Sequence, residues 1–238
     1  AQRVAIGRAL VREDLGLLLL DDALQVLDAE GRRRMVGCLR QVQRSRRMCI
    51  LISTRGQPDV MGLGDEWLML DQGRILQQGR PAEFAQYPRT MAVASRLGGS
   101  GLNVLPCRSE GGVAHFAGVQ LLPPSPPQLD LWLAELQGQS PKSNIEMAIR
   151  AEHVVLGRPG QEGCIEALLT HVEDDGTWMQ LHGVLPGTDI PLCARVMVDT
   201  PAAYDLAALA GGAVAGRREK LQIINRHSLF FVDGRLVQ

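Results

Sequence analysis

From Gln2 to Val11 the apolar side chains fall at Val4, Ala5, Ile6, Ala9 and Leu10, which predicts a helix packed against a neighbour. Leu17–Leu20 is a short continuous apolar run ending at Asp21 and Asp22, the pattern of a strand buried on both faces. Asp28 is placed to cap a helix from Ala29 to Arg47, with Met35, Leu39 and Val42 on one side and Arg32, Arg33, Arg40, Arg44 and Arg47 mostly elsewhere. Cys49–Ser53 predicts a second buried strand, and the order strand, helix, strand implies a right-handed parallel crossover, hence part of an α/β sheet. Trp67–Leu70 and Arg74–Gln77 flank Asp71-Gln72-Gly73, a hairpin signal.

After a Gly-rich join at residues 98–101 the texture changes. Short apolar runs at Leu102–Cys107, Val113–Val119, Ile145–Ile149, Ile165–Val172, Trp178–Leu181, Ala194–Val198, Leu221–Ile224 and Leu229–Val232 are separated by Gly, Pro or Asp turns. That spacing predicts a small antiparallel barrel. Pro123-Pro124-Ser125-Pro126-Pro127 reads as an extended loop and Ala202–Leu209 as one short helix. Two domains are expected, residues 1–97 and 98–238.

The 238 residues, 45% apolar and 21% charged, supply one large core or two small ones. A net charge of −1 gives no global field for nucleic acid or anionic lipid, although residues 1–100 carry +4 and residues 101–238 carry −5. No aromatic residues interleave with the arginines of the 29–47 helix, so that face reads as solvated and nucleic acid is not expected as a partner. The basic residues are 23 Arg but only two Lys, Lys142 and Lys220, and neither follows a Gly. A phosphate-binding loop needs such a Lys, so none is present. Five scattered cysteines without a C-x-x-C pair read as reduced thiols, and no signal segment or apolar run of about 20 residues appears, so a cytoplasmic location is expected. The five histidines show no H-x₃-H or H-E-x-x-H spacing, which points away from zinc, and no serine sits in a G-x-S-x-G elbow.

Several segments carry more when taken in order. Gln2-Arg3-Val4-Ala5-Ile6-Gly7-Arg8-Ala9-Leu10 resembles the helix that follows the LSGGQ signature of ABC transporter ATPases. The run ending in Asp21 then falls where that family has its Walker B strand, Leu27-Asp28 where it has the D-loop, and Thr54-Arg55 where it has the switch histidine. Asp71-Gln72-Gly73-Arg74-Ile75 and Gln78-Gly79 resemble the family's closing hairpin. The fold implied for residues 1–97 is the C-terminal part of a P-loop NTPase of RecA-like α/β class. Because the chain opens at Ala1 inside a predicted helix, it is read as a C-terminal portion of such a subunit. Residues 101–238 resemble the oligonucleotide-binding-like barrel called TOBE that follows the ATPase domain in importers of polyamines, ferric iron, sulfate, molybdate and sugars. Asn103-Val104-Leu105-Pro106, Ile149-Arg150-Ala151-Glu152-His153-Val154 and Arg226-His227-Ser228-Leu229-Phe230 carry that likeness, with Ala151 in place of the family's proline.

The resemblance implies ATP and Mg²⁺ as cofactors, with Asp21 as the metal carboxylate and Asp21, Asp28 and Arg55 at the nucleotide. Asp22 and Arg55 stand at the catalytic positions, and both depart from the family. Asp22 replaces a glutamate and is one methylene shorter, about 1.5 Å of reach. Arg55 replaces the histidine and offers only donors. Ala23 and Gln25 replace the usual proline and serine. The expected function is the ATP-binding subunit of an ABC importer taking up a small solute such as a polyamine, a metal ion, molybdate or sulfate. Its implied partners are a second ATPase subunit in a homodimer or paired arrangement, membrane-spanning permease subunits and, indirectly, an external solute-binding protein, at the inner face of the membrane. The alternative is a non-hydrolysing regulatory or assembly subunit whose working part is the barrel. Whichever holds, the chain alone lacks the phosphate loop that hydrolysis requires.

Overall fold

In a computed structural model of the chain, the described residues are 2–12, 15–55, 64–98, 101–110, 113–117, 119–121, 143–157, 164–198, 215–224 and 227–237. Packing divides the chain into two units, Ala1–Trp67 and Leu68–Gln238.

The first unit runs α1 (Gln2–Leu10), β1 (Leu17–Asp21), α2 (Ala29–Arg46) and β2 (Cys49–Ser53). Asp28 caps α2, its carboxylate accepting from Gly31 N at 3.0 Å, a contact of about 1 kcal/mol in comparable helices. β1 and β2 pair in parallel from Leu17 opposite Cys49 to Asp21 opposite Ser53. Leu18 and Leu20 join Ile6, Leu24, Leu39 and Met48 in one core, with Met35, Val42, Ile50 and Ile52 packed on it. The guanidinium of Arg46 donates to Leu10 O and Arg12 O at 2.7 and 2.9 Å, satisfying carbonyls where α1 ends. Arg33, Arg40, Arg44 and Arg47 are exposed, as a solvated face requires.

Burial of β1 and β2 on both faces, expected from their continuous apolar runs, is not what the structure has. Leu19 is 63% exposed and Leu51 56%. The side chains of α1 and α2 cover the face that carries Leu18, Leu20, Ile50 and Ile52, and no described residue covers the other.

The second unit begins within the first strand of a hairpin, β3 (Trp67–Asp71) and β4 (Arg74–Gly79). Gln72 and Gly73 link the strands with φ of 45° and 76°, the double positive-φ turn whose twist matches paired strands. α3 (Pro81–Gln86) and α4 (Met91–Gly98) follow. Buried Gln77 holds the connection between them, donating to Tyr87 O and accepting from Arg89 N. Ala94 packs with Ala148 and Phe231, and Met91 N donates to Gly234 O, so these helices belong to the packing of the strands that follow. The packing division therefore precedes the expected join at residues 98–101, of which Gly99 and Ser100 lie outside the described residues.

Those strands are β5 (Leu102–Glu110), β6 (Val113–Phe116), β7 (Val119–Leu121), β8 (Ile145–Arg150), β9 (Val154–Leu156), β10 (Cys164–Asp174), β11 (Trp178–Val184), β12 (Pro191–Met197), β13 (Arg218–Ile223), β14 (Leu229–Val232) and β15 (Arg235–Leu236). They form two antiparallel sheets, ordered β12-β11-β10-β13-β9 and β15-β14-β8-β5-β6-β7. In the five-stranded sheet β12 comes back beside β9, so it is a nearly closed barrel. One core joins both sheets, with Leu105, Phe116, Met147 and Ile149 from one meeting Ile165, Leu169, Met179 and Leu181 from the other. The run expected as a single strand from Val113 to Val119 is broken into β6 and β7 at Ala117, which has a φ of 51°. The loop at residues 123–127 and the helix expected at 202–209 lie outside the described residues.

Asn103 ties the sheets together. Only 3% exposed, its side-chain amide donates to Ile149 O at 3.2 Å and Cys193 O at 2.8 Å and accepts from Cys193 N at 2.6 Å. Cys193 lies on β12 at the edge of the barrel sheet, so one side chain supplies the hydrogen bonds a neighbouring strand would have made.

Candidate functional site

The C-terminal ends of β1 and β2 bring Asp21, Asp22, Ser53 and Arg55 together. Parallel pairing sets Asp21 opposite Ser53, and the Ser53 hydroxyl donates to Asp21 Oδ1. Asp22 adopts the left-handed region, φ 50°, which Asp tolerates better than most residues. Its N–H is held by Ser53 O at 3.1 Å and Ser53 Oγ at 3.2 Å. Asp22 Oδ2 lies 3.7 Å from Arg55 Nε, but Arg55 is 90% exposed, so this ion pair contributes little to stability. Asp22 Oδ1 is buried and has no hydrogen-bond partner among the described residues.

Of the residues singled out in the sequence, Asp21, Asp22 and Arg55 are thus assembled at one strand end, while the Asp28 carboxylate is engaged at the first turn of α2. Ser53 was not singled out. Its signal was available as the last residue of a strand whose parallel partner ends in Asp21, a place where side chains of adjacent strands meet above the sheet. The oxygens of Asp21, Asp22 and Ser53 are the hard donors that Mg²⁺ prefers, and the orphaned Asp22 Oδ1 leaves acceptor capacity there.

A second polar group lies on the barrel. His171 and Glu173 on β10 and His182 on β11 project from the same face, and the two imidazoles stack with centroids 4.2 Å apart and planes 4° from parallel. Partial burial first, and then the neighbouring His171, lower the pKa of His182, while Glu173 opposes the shift. Sequence spacing did not show this group, because the three residues come from two strands whose register shifts between Leu169 and His171. Elsewhere, burial pushes the Cys107 thiol up to about 12 and raises that of Cys193 as well.

No helix among the described residues is long and apolar enough to cross a membrane. No protein-family model matches the chain. The maltose/maltodextrin import ATP-binding protein MalK of Photorhabdus laumondii is 33% identical over 186 residues, covering 78% of this chain and 49% of its own length. The sn-glycerol-3-phosphate import ATP-binding protein UgpC of Cereibacter sphaeroides is 34% identical over 192 residues, covering 80% of this chain and 50% of its own. MalK of Escherichia coli K12 is 32% identical over 186 residues, with 78% and 49% covered. Among solved structures, a molybdate-bound crystal form of the cytoplasmic molybdate-binding protein ModG covers 54% of this chain and 94% of its own at 17% identity and TM-score 0.39, too slight a likeness to carry an argument. The chain spans about half the length of the curated relatives it matches. Over that span the chain is a distant homologue of the ATP-binding subunits of ABC importers.

Proposed function

We propose that this chain is the C-terminal portion of an ABC importer ATP-binding subunit that, in the intact protein, couples MgATP binding and hydrolysis to uptake of a small solute. The observation that carries the reading is the Asp21, Asp22 and Ser53 oxygen cluster at the ends of a parallel strand pair, in a chain whose relatives are named as import ATP-binding proteins. A bound Mg²⁺ neutralises phosphate charge in such sites. Asp21 is the carboxylate for that ion. Asp22 accepts a proton from the attacking water, and Arg55 donates to a phosphate oxygen. Residues 1–97 form the end of the nucleotide-binding domain and residues 98–238 a TOBE-type accessory barrel. A second ATPase subunit and membrane-spanning permease subunits are the partners, at the inner face of the membrane. Solute selectivity then lies in the permease and the external solute-binding protein. The names of the relatives add maltodextrins and sn-glycerol-3-phosphate to the small solutes considered.

Asp22 and Arg55 favour a second reading, a subunit that binds nucleotide and hydrolyses it slowly or not at all. Asp22 is short by about 1.5 Å, and misplacements of about 1 Å can cost about 10²-fold in rate. The experiment uses the intact protein containing this chain. Asp21→Asn is expected to abolish metal-dependent MgATP binding, and its persistence would refute the first reading. Asp22→Glu combined with Arg55→His is expected to raise turnover, and no rise would refute the second. The 238-residue chain alone is expected to show no metal-dependent turnover.

A further inference from the structure

Outside the β1/β2 site, one group among the described residues brings together side chains of metal-ligating type. His171, Glu173 and His182 each offer one ligand atom, and these atoms all lie within 4.8 Å of one another. Nε2 of His171 and Nε2 of His182 lie 3.5 and 3.6 Å from the same Glu173 oxygen, Oε1.

A β-bulge produces this arrangement. Before the bulge Leu168 pairs with Val184 and Leu169 with Gly183; after it His171 pairs with His182. Without the extra residue, Thr170, the register would set His171 opposite Leu181, whose side chain is in the core. One inserted residue therefore turns His171 from the inner face to the outer one, beside His182. Gly183 makes room for it, since a Cβ there would come within 2.7 Å of Leu168 O.

Thr170 also orients the His171 ring. Its hydroxyl donates to His182 O at 3.0 Å, which uses its only proton. Towards His171 Nδ1, 3.4 Å away, Thr170 Oγ1 can then only accept, which suits the tautomer with its hydrogen on Nδ1 and its lone pair on Nε2, the one an ion bound beside Glu173 would select. An imidazole with one nitrogen tied to an orienting oxygen and the other free is the form that binds metals. His182 Nε2 is itself buried with no hydrogen-bond partner among the described residues.

We infer that His171, Glu173 and His182 form a binding site for a divalent transition-metal ion on the outer face of the barrel, with Zn²⁺ the best match to the donor set. Two imidazoles and one carboxylate suit Zn²⁺ at about 2.0–2.2 Å and leave a fourth position for water. Thiolate-seeking ions lack a ligand in this set, and Mg²⁺ and Ca²⁺ prefer oxygen. His171 and Glu173 are 56% and 64% exposed, so the stacked rings can part and close on an ion without disturbing the core. This site is separate from the Asp21 cluster, and its test does not depend on nucleotide.

The test titrates the chelator-stripped 238-residue chain with Zn²⁺ against a chromophoric competitor, and with Co²⁺ followed by its visible spectrum. One tight equivalent is expected. Each of His171→Gln, Glu173→Gln and His182→Gln is expected to weaken it at least tenfold, and Thr170→Val by about tenfold through loss of the orienting contact. His153→Gln, in the other stacked histidine pair, is expected to change nothing. Absence of a tight equivalent, or one that survives His171→Gln and Glu173→Gln, would overturn the inference. Those two exposed positions keep the test decisive if His182→Gln fails to fold.

Discussion

Replacing Asn103 with alanine tests whether one buried amide holds the two sheets of the second unit together. The substitution removes the acceptor of Cys193 N and the donor to Cys193 O, both on a strand that among the described residues has no hydrogen-bonded strand on that side, and one contact to Ile149 O. Each buried backbone group left unpaired costs about 1–3 kcal/mol. With the two Cys193 groups orphaned, and Ile149 O counted as nothing, the loss is about 4 kcal/mol. At about 2–4 °C per kcal/mol for a chain of this size, the melting temperature is expected to drop by about 10 °C. Urea unfolding followed by circular dichroism measures it as a lower midpoint with an unchanged slope. Asn103→Asp separates the donor from the acceptor, because a carboxylate still accepts from Cys193 N but donates nothing to Cys193 O and adds a buried charge. It is expected to be at least as destabilising as alanine. A loss below about 1 kcal/mol for Asn103→Ala would mean that water replaces the amide and that the clamp does not hold the sheets.

Two further outcomes follow from local electrostatics. Cys38 and Cys49 are exposed, whereas burial, offset in part by a backbone hydrogen bond from Met147 and reinforced by Glu146, pushes Cys107 up to about 12. A thiol-disulfide reagent at mildly alkaline pH is therefore expected to label Cys38 and Cys49 quickly and Cys107 only on unfolding, and rapid labelling of Cys107 found by peptide mapping would contradict this. In the β10–β11 turn, Asp175 accepts from Trp178 N and Thr177 N, and these bonds hold its pKa below the usual 3.8. The folded chain keeps this carboxylate ionised where the unfolded chain protonates it, so its contribution is complete above pH 3.8 and is lost as pH falls through the folded value. The stability advantage over Asp175→Asn should shrink correspondingly in acid, and a gap independent of pH would refute it.

Much of the first unit was legible because its signals are local. Asp28 precedes an amphipathic stretch, so capping and period together place α2 within a residue of its observed ends. In the second unit, Gln72-Gly73 likewise announces its hairpin, since few residue pairs accept two positive φ angles. The apolar run Leu17–Leu20 misled about burial, because a continuous run reports that both faces could be covered and says nothing about which neighbours are present. Asp21 and Asp22 were found from the end of that run. Ser53 was not, because its part in the cluster depends on pairing across 32 residues.

By itself the sequence determined most of the elements and their order, though not α3, α4, β9 or β15, together with the missing phosphate loop and the resemblance that homology then supported, all of which rest on residue type and short-range spacing. The tertiary structure alone decided that Asn103 joins two sheets, that the described residues cover only one face of β1 and β2, and that Thr170 turns His171 beside His182. Each of these depends on register between strands distant in sequence. A one-residue shift of register reverses which face every later side chain takes, and no local pattern records it.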